Sequence, residues 1–358
     1  MYDRYGREID YLRFSVTDRC GLCCGYCKKD YNRFLPDNEL LTDDEIIRIT
    51  RIMAGLGIKH IRLTGGEPLD RAGIEVLARE LVKTDGIHTT DMTTNGLKLA
   101  KYAPELAGSG LSGVNVSLDT LNENKYLRIT GLTTEVVHTP ETTQVENHGT
   151  HEKLQKNEYA DKNEEPEKTG YVLEILRGID AALGAGLKVK INTVLTQLNS
   201  DDVFDMIMLA KDRPADVRFI ELMPLGGASS GQQVPLSGVK QNFLAGFPEA
   251  RPVTQKRGNG PAVYYRIPGF KGCIGFISAI TDKFCDSCNR IRVTASGGLK
   301  TCLCYGTQTD LKSFLRNGAS DAGLKELVRS SIYEKPKEHC FETPECITEH
   351  MSMSGIGG

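Results

Sequence analysis

Strand-like and helix-like segments alternate along this chain, and the alternation constrains its fold more than any other feature. Six short runs have the period-two pattern or the β-branched enrichment of strands, and most precede a helical pattern. They begin at Leu12, His60, Thr89, Gly113, Lys188 and Asp216. Because strands that alternate with helices pair in parallel through right-handed crossovers, we predict an α/β fold, either a partial barrel or a doubly wound sheet. In both, the chemistry belongs at the carboxyl ends of the strands.

Local signals refine this pattern. Thr42 followed by Glu45 is a capping box that predicts a helix through Met53. After Pro224, the segment GGASSGQQVPLSG indicates a linker or long loop. Two strand-like runs follow, which start at Val263 and Ile274. After them come a helical pattern, formed by Leu324, Leu327, Val328 and Ile332, and a glycine-rich end. We therefore predict a first unit over residues 1–225 and a C-terminal region over residues 226–358.

A polar stretch from about residue 132 to 170 interrupts the strand–helix alternation. It carries nine acidic and four basic residues and has little hydrophobic content. Such a composition cannot bury enough apolar surface to offset the entropy of ordering, so we predict a mobile surface insertion. His138, His148 and His151 lie inside it, and we expect them to be solvated rather than metal ligands.

Composition excludes several classes of protein. The chain has 358 residues, 44 Lys and Arg, 47 Asp and Glu, a net charge of −3 and 39% hydrophobic residues. No apolar run is long enough to span a bilayer, and the polar start lacks a signal-peptide core. Near-neutral charge disfavours sequence-blind nucleic-acid binding. We expect a cytoplasmic protein that binds neither membranes nor nucleic acid.

Eleven cysteines suggest metal chemistry, because a reducing cytosol disfavours disulfides. One group contains Cys20, Cys23, Cys24 and Cys27, and the other contains Cys285, Cys288, Cys302 and Cys304. Cys273, Cys340 and Cys346 stand alone in the sequence, and we expect them to be small buried hydrophobic residues.

The first group contains the spacing C-x3-C-x2-C, formed by Cys20, Cys24 and Cys27 in the loop after the first predicted strand. Three thiolates leave one iron of a 4Fe–4S cube without a protein ligand, so that iron could bind a substrate or cofactor. Structural zinc is the alternative, but it needs four ligands, and only Cys23 could complete such a site locally. Adjacent cysteines rarely point at one tetrahedral ion.

This triad, with the aromatic Tyr26 before its last cysteine and the segment LTGGEP from Leu63, resembles the radical S-adenosylmethionine enzymes. The resemblance implies a partial (βα)6 TIM-like barrel in which the methionyl group of S-adenosylmethionine chelates the open iron. It also implies that the GGEP segment receives the methionyl amino group, with Glu67 able to accept from the ammonium.

The second group contains the spacing C-x2-C-x13-C, formed by Cys285, Cys288 and Cys302 within FCDSCNRIR and beyond. A zinc ribbon is the alternative, since Cys304 could supply a fourth ligand, but the spacing fits a ribbon poorly. The arrangement is similar to the auxiliary cluster of the GTP 3′,8-cyclase family. The resemblance extends over nearly the whole chain through LRFSVTDRC, RLTGGEPLDR, TTNG, VSLDTL, VKINTV, RFIELMP and a terminal Gly-Gly. Cys304 and Cys23 depart from the family pattern, and we interpret Cys23 as a bystander.

Residues with predicted roles follow from this resemblance by motif position. It implies two 4Fe–4S clusters, held by Cys20, Cys24 and Cys27 and by Cys285, Cys288 and Cys302. For S-adenosylmethionine it implies Tyr26 through its backbone, Gly66, Ser117 and Met223. For GTP it implies Arg13, Arg62, Thr93, Lys190, Arg290 and Arg292, and it places Gly357 and Gly358 in the active site.

The resemblance also implies a reaction. The amino-terminal cluster would cleave S-adenosylmethionine, and the resulting 5′-deoxyadenosyl radical would abstract hydrogen from C3′ of GTP. Ring closure onto C8 of guanine gives 3′,8-cyclo-7,8-dihydro-GTP, a lyase reaction of molybdenum cofactor biosynthesis. The implied partners are a flavodoxin- or ferredoxin-like electron donor, a downstream cyclic pyranopterin monophosphate synthase and a second copy of the chain. A peptide-modifying maturase with an auxiliary cluster is the alternative enzyme.

Overall fold

A computed structural model of the chain describes residues 1–27, 34–132, 170–226, 228, 232–307 and 309–357. The predicted insertion, with its three histidines, lies outside these residues except at its two ends. Helix and strand bounds therefore refer to the described part of the chain.

Six parallel strands form the centre of the molecule. They are β1 (Tyr11–Ser15), β2 (His60–Thr64), β3 (Thr89–Thr94), β4 (Gly113–Ser117), β5 (Lys188–Leu195) and β6 (Asp216–Glu221). Each pairs in parallel with the next in the chain, so the spatial order is the sequence order. The six predicted strands are confirmed, and their order is that of an open, partial barrel.

Helices follow the strands as the pattern predicts. They are α1 (Asp43–Ala54), α2 (Ile74–Val82), α3 (Leu99–Gly108), α4 (Glu123–Thr130), α5 (Tyr171–Gly184) and α6 (Val203–Asp212). The predicted capping box is present, because the Thr42 hydroxyl accepts from the Glu45 N–H and the Glu45 carboxylate accepts from the Thr42 N–H. A cap of this kind stabilises a helix by about 1 kcal/mol.

The C-terminal region extends the same sheet at both sides. It contains α7 (Leu236–Gly246), β7 (Arg251–Pro252), β8 (Val263–Arg266), β9 (Ile274–Ile277), β10 (Arg290–Val293), β11 (Gly298–Lys300), β12 (Thr309–Asp310), α8 (Leu311–Arg316), α9 (Asp321–Tyr333) and α10 (Met353–Ile356). Strand β9 pairs in parallel with β6, and β10 pairs in parallel with β1. The sheet order is β12-β11-β10-β1-β2-β3-β4-β5-β6-β9-β8-β7. The division at residue 225 stays a prediction.

One expected loop is partly helical. Helix α7 begins at Leu236, inside the segment predicted as a linker, because Leu236 and Phe243 supply buried anchors on one side of the helix. Phe243 packs against the rings of Phe247, Tyr265 and Phe276. The sequence pattern predicted only a linker or long loop here, because Phe243, which anchors the helix, lies beyond the glycine- and serine-rich stretch.

The two faces of the sheet differ in chemistry. Residues such as Leu12, Phe14, Ile61, Val116 and Phe219 belong to one buried apolar cluster with side chains of α1, α2, α3 and α5. Because successive strand residues point to opposite faces, the alternate positions face away from these helices.

None of the helices in the described part of the chain combines the length and hydrophobicity needed to cross a bilayer.

Candidate active site

A cavity of about 370 Å³ lies on the polar face of the sheet, at the carboxyl ends of the central strands. Its size is typical of a small-molecule site. Most of the strand residues that line it are at alternate positions, namely Tyr11, Arg13, Arg62, Thr64, Thr93, Asn115, Ser117, Asn192, Val194, Arg218, Ile220, Ile277, Arg290 and Arg292. Thr94, Glu221, Ile291 and Lys300 line it as well. On most of these strands, the period of two therefore separates the residues of the apolar core from those that line the cavity.

The first cysteine group lies in the loop after β1, and Cys20, Cys24 and Cys27 all line the cavity. The loop is tight, because the Cys27 N–H donates to the Cys24 carbonyl oxygen at 2.8 Å and the Leu22 N–H donates to the Cys20 sulfur at 3.4 Å. Burial raises the pKa of the Cys20 thiol to about 12 and that of Cys24 well above its ordinary value. Thiols such as those of Cys20 and Cys24 suit a soft metal centre, because the positive charge of the metal favours their thiolates.

The second cysteine group lines the same cavity. Cys285 begins a short 3₁₀ helix (Cys285–Ser287). At the end of this helix, the Cys288 N–H donates to the Cys285 carbonyl oxygen at 3.1 Å. Cys302 follows β11 and lines the cavity with Cys285 and Cys288. Burial would raise the pKa of the Cys288 thiol, but the positive charges of Lys335 and Arg290 outweigh burial and lower it. The fold thus brings together two cysteine trios that are more than 250 residues apart in sequence.

Cys23 and Cys304 are buried but are not among the residues that line the cavity. The Cys23 N–H donates to the Thr130 carbonyl oxygen, and the Cys304 sulfur lies 3.4 Å from the Cys340 sulfur. Among the residues that the structure describes, no three Cys, His, Asp or Glu side chains converge as ligands of one ion. A 4Fe–4S cube does not require such convergence, because each cysteine binds a different iron.

Gly66 lies where the chain after β2 meets the chain after β1. Its N–H donates to the Thr17 carbonyl oxygen at 2.7 Å, and a Cβ atom at this position would lie 2.1 Å from the Arg19 carbonyl oxygen. Only glycine fits such an approach.

Glu67, in contrast, has a structural role that the sequence reasoning missed. Its carboxylate accepts from the Leu69 N–H, the Thr94 hydroxyl and the Asn95 N–H, and burial raises its pKa to about 7. The side chain joins the ends of β2 and β3 and also lines the cavity. Among the described residues, its Oε2 atom accepts only from the Asn95 N–H, so acceptance from the methionyl ammonium stays a prediction.

Tyr26, Ser117 and Met223 line the same cavity as the two cysteine groups. The Tyr26 hydroxyl donates to the Asp119 carboxylate at 2.6 Å, and the Val194 N–H donates to the same carboxylate at 2.8 Å. Burial raises the pKa of Asp119 to about 6. Asp119 was not predicted, although it lies in the VSLDTL segment, two residues after Ser117.

Arginines form a row across the opposite part of the cavity. Arg13 on β1 is in register with Arg62 on β2 and with Arg292 on β10. Burial and the charge of Arg292 lower the pKa of Arg13, and burial and the charge of Arg290 lower that of Arg292 to about 10. Arg290 lies over the Phe284 ring at 5.0 Å. Buried guanidinium groups of like charge favour a polyanion as their ligand.

Comparisons with known proteins give the family. Residues 14–139 match the model of the radical SAM superfamily, and residues 215–341 match the model described as Molybdenum Cofactor Synthesis C. The chain is 41% identical to the GTP 3′,8-cyclase of Clostridium perfringens (strain 13 / Type A) over 360 residues, which is 100% of both chains. It is also 41% identical to the GTP 3′,8-cyclase of Pelotomaculum thermopropionicum over 364 residues, again 100% of both. The chain belongs to the GTP 3′,8-cyclase family.

Solved structures support the fold of this cyclase-family chain. The crystal structure of Streptococcus suis SuiB matches with a TM-score of 0.56 at 15% identity, covering 92% of this chain and 67% of that one. The family models and the relatives confirm the family resemblance, and the likeness to SuiB confirms the α/β fold class. Membership of the superfamily implies a 4Fe–4S cluster and S-adenosylmethionine as cofactors.

Lys190 is the exception among the sixteen residues predicted to bind the clusters, S-adenosylmethionine or GTP in this cyclase-family chain. It is not among the residues that line the cavity, whereas the other fifteen are. Its ammonium donates to the Arg257 carbonyl oxygen, and burial, with the charge of Arg218, lowers its pKa to about 8. Lys190 lies on the predicted strand, but the Arg257 carbonyl oxygen accepts from its ammonium, and the Lys190 side chain does not line the cavity.

Arg218 was missed by the sequence reasoning, although it belongs to the RFIELMP segment. It is 5% exposed, lines the cavity and donates to the Asn192 side-chain oxygen from the neighbouring strand. Its Nε is buried without a hydrogen-bond partner in the described residues. An arginine with an unused donor that faces a cavity is a candidate ligand for an anion.

The C-terminal segment of this cyclase-family chain also reaches the cavity, where Met353 and Ser354 form part of the lining. The Gly357 carbonyl oxygen accepts from the Arg292 guanidinium, and Gly357 has a φ of +90°. A Cβ atom there would lie 2.6 Å from the Thr64 hydroxyl, so the position needs glycine. Gly358 lies outside the described residues.

Proposed function

We propose that this protein is a radical S-adenosylmethionine GTP 3′,8-cyclase, a lyase that converts GTP to 3′,8-cyclo-7,8-dihydro-GTP in molybdenum cofactor biosynthesis. The observation that carries the proposal is that two cysteine trios and an arginine row line one cavity. Identity of 41% over the full length of curated cyclases supports the same reaction. A peptide-modifying maturase would not need the arginine row.

The cysteine trios suit two 4Fe–4S clusters in this proposal. Cys20, Cys24 and Cys27 would hold one, and Cys285, Cys288 and Cys302 the other. When bound, the first cluster and S-adenosylmethionine supply a 5′-deoxyadenosyl radical. Three thiolates leave one iron of each cube for a non-protein ligand, and we assign these positions to S-adenosylmethionine and to the guanine of GTP.

The residues around the first trio would bind S-adenosylmethionine. Gly66 brings backbone close to the trio without a side chain in the way, and Tyr26 offers its backbone while Asp119 holds its ring in place. Ser117 adds a hydroxyl, and the thioether of Met223 adds a soft apolar contact. Together they orient the cofactor and exclude water from the reacting atoms.

The cationic side chains would bind the GTP triphosphate. Arg13, Arg62 and Arg292 form the row across three adjacent strands, and Arg290 and Arg218 add two further guanidinium groups at the cavity wall. Guanidinium groups match phosphate oxygens in pairs and stay charged when buried. Thr93 offers a hydroxyl at the same wall, and Lys190 would contribute only if its contact with Arg257 opens.

An anaerobic product assay tests the proposal. Reconstituted protein is incubated with dithionite, S-adenosylmethionine and GTP deuterated at C3′, and the nucleosides are analysed by mass spectrometry. We expect 3′,8-cyclo-7,8-dihydro-GTP together with deuterium in 5′-deoxyadenosine. Formation of unlabelled 5′-deoxyadenosine with intact GTP would contradict the proposal, and ATP labelled at the same carbon serves as the control nucleotide.

The proposal extends to partners and location. The product would pass to a cyclic pyranopterin monophosphate synthase, and the electrons would come from a flavodoxin- or ferredoxin-like donor. We further propose a homodimer in the cytoplasm that binds neither nucleic acid nor membrane. The net charge of −3 supports the absence of non-specific nucleic-acid binding.

A further inference from the structure

Cys304, which follows Cys302 of the second cysteine trio, lies close to two cysteines near the C-terminus, Cys340 and Cys346. The Cys304 and Cys340 sulfur atoms are 3.4 Å apart, and the Cys340 N–H donates to the Cys304 sulfur at 3.5 Å. Burial and the neighbouring Cys340 thiol raise the pKa of the Cys346 thiol. Cys340 therefore contacts Cys304 and lies near Cys346.

The three thiols differ in their access to solvent. Cys304 is fully buried, Cys340 is half-buried and Cys346 is exposed. The expectation that Cys346 is a buried hydrophobic residue is therefore wrong, whereas Cys273 is buried as expected. Two backbone hydrogen bonds fix the turn between the outer two, since the Thr343 N–H donates to the Cys340 carbonyl oxygen and the Cys346 N–H donates to the Thr343 carbonyl oxygen, both at 2.9 Å. Cys346, Cys340 and Cys304 thus lie in this order along a path from the surface to the interior.

This path ends at the wall of the cavity. Cys304 lies two residues after Cys302, and Cys340 lies between His339 and Phe341. Cys302, His339 and Phe341 all line the cavity. A covalent bond between Cys304 and Cys340 would therefore join two segments that form one wall beside the second cysteine trio.

We propose that Cys304, Cys340 and Cys346 form a thiol–disulfide relay that oxidises reversibly to a Cys304–Cys340 disulfide. The co-reactant is a small-molecule disulfide. A sulfur–sulfur bond requires the 3.4 Å separation to shorten to about 2.0 Å, which is a small side-chain movement. The relay does not depend on the proposed cyclase reaction.

The steps of the relay balance in atoms and electrons. The Cys346 thiolate attacks the small disulfide, forms a mixed disulfide and releases one thiol. The Cys340 thiolate then attacks the Cys346 sulfur, releases the second small thiol and forms a Cys340–Cys346 disulfide. Finally Cys304 attacks the Cys340 sulfur, passes its thiol proton to the departing Cys346 sulfur and so frees Cys346 as a thiol. Two protein thiols are oxidised, and one small disulfide is reduced to two thiols.

Mapping of disulfides in the cluster-loaded, full-length protein tests the relay. The anaerobic protein is equilibrated with mixtures of reduced and oxidised glutathione, quenched with acid, alkylated, digested and analysed by mass spectrometry. We expect a Cys304–Cys340 cross-linked peptide that appears with oxidised glutathione and disappears with excess reduced glutathione. If the three cysteines are alkylated separately at every ratio of reduced to oxidised glutathione, the proposal is overturned. It is also overturned if the protein contains zinc that protects all three cysteines from alkylation.

Variants separate the roles of the three thiols. In Cys346→Ser, an exposed substitution, we expect the cross-link to form roughly ten times more slowly while its equilibrium position is unchanged. An unchanged rate would overturn the role of Cys346 as the entry point. Cys273→Ala, which removes a buried cysteine outside the relay, should form the Cys304–Cys340 cross-link at the wild-type rate, and a slower rate would contradict the assignment.

Discussion

Lys300 and Glu349 form an ion pair that is almost entirely buried, with side chains 0% and 2% exposed. The Lys300 ammonium also donates to the Tyr305 carbonyl oxygen, and the Met351 N–H donates to the Glu349 carboxylate at 2.6 Å. Lys300 lines the cavity, whereas Glu349 starts the segment that leads to Gly357. The pair therefore fastens the C-terminal segment to the cavity wall.

Removal of one partner should destabilise the protein strongly. Glu349→Gln leaves the Lys300 charge buried without its counter-ion, so we expect the free energy of unfolding to fall by about 3–5 kcal/mol. Glu334→Gln is the matched control, because it breaks the exposed Arg4–Glu334 pair and should change the free energy by less than about 1 kcal/mol. Urea unfolding followed by circular dichroism measures both, and equal effects would count against the buried pair.

Iron content should distinguish Cys302 from Cys304. With two clusters of four irons, the reconstituted wild type should contain about eight irons per chain, and Cys302→Ser about four. Cys304→Ser should keep about eight, because Cys304 lies outside the cavity lining. Colorimetric iron and sulfide assays on anaerobically reconstituted protein measure this. Loss of about four irons in Cys304→Ser would make Cys304 a ligand and leave no iron free for guanine.

Arg290→Ala should impair the use of GTP more than cleavage of the cofactor. Arg290 lies beside the second cysteine trio, and the loss of a charged hydrogen bond to substrate costs roughly 10- to 100-fold in turnover. We expect product formation to fall by this factor while GTP-independent formation of 5′-deoxyadenosine stays near the wild-type rate. The exposed Arg266→Ala is the control and should retain both rates. A parallel loss of both activities in Arg290→Ala would contradict the assignment to GTP.

Asp119 should make the stability of the cluster-free protein depend on pH. Burial raises the pKa of Asp119 from its ordinary value of 3.8 to about 6. The folded state then binds the proton more tightly than the unfolded state, so this contribution to stability is present below about pH 4 and is lost as the pH rises through about 6. The loss amounts to about 3 kcal/mol.

The variant Asp119→Asn isolates this contribution. It cannot ionise, so its free energy of unfolding should fall less than that of the wild type between about pH 4 and pH 7. Urea unfolding at several pH values measures the difference, and contributions from other groups such as Glu67 cancel between the two proteins. The same pH dependence in both proteins would mean that Asp119 is already ionised in the folded state at low pH.

The central strands, the capped helix α1 and the two cysteine groups could be predicted because their signals are local. Period-two alternation, the pair Thr42 and Glu45, and short cysteine spacings each depend on neighbouring residues. Resemblance of motifs predicted sixteen residues that bind the clusters, S-adenosylmethionine or GTP, and fifteen of them line one cavity. Lys190 shows where this reasoning ends, because the segment around Arg257 that holds its ammonium lies 67 residues away.

The sequence by itself determined which residues alternate between core and cavity, and which cysteines and arginines are available. Only the tertiary structure decided that β10 pairs with β1, which places Arg292 beside Arg13 and both cysteine trios on one cavity. It also decided that Glu67 joins two strand ends and that Cys304 meets Cys340. The physical reason is that the pairing of distant strands and loops depends on how whole surfaces pack, and local propensity carries no record of that packing.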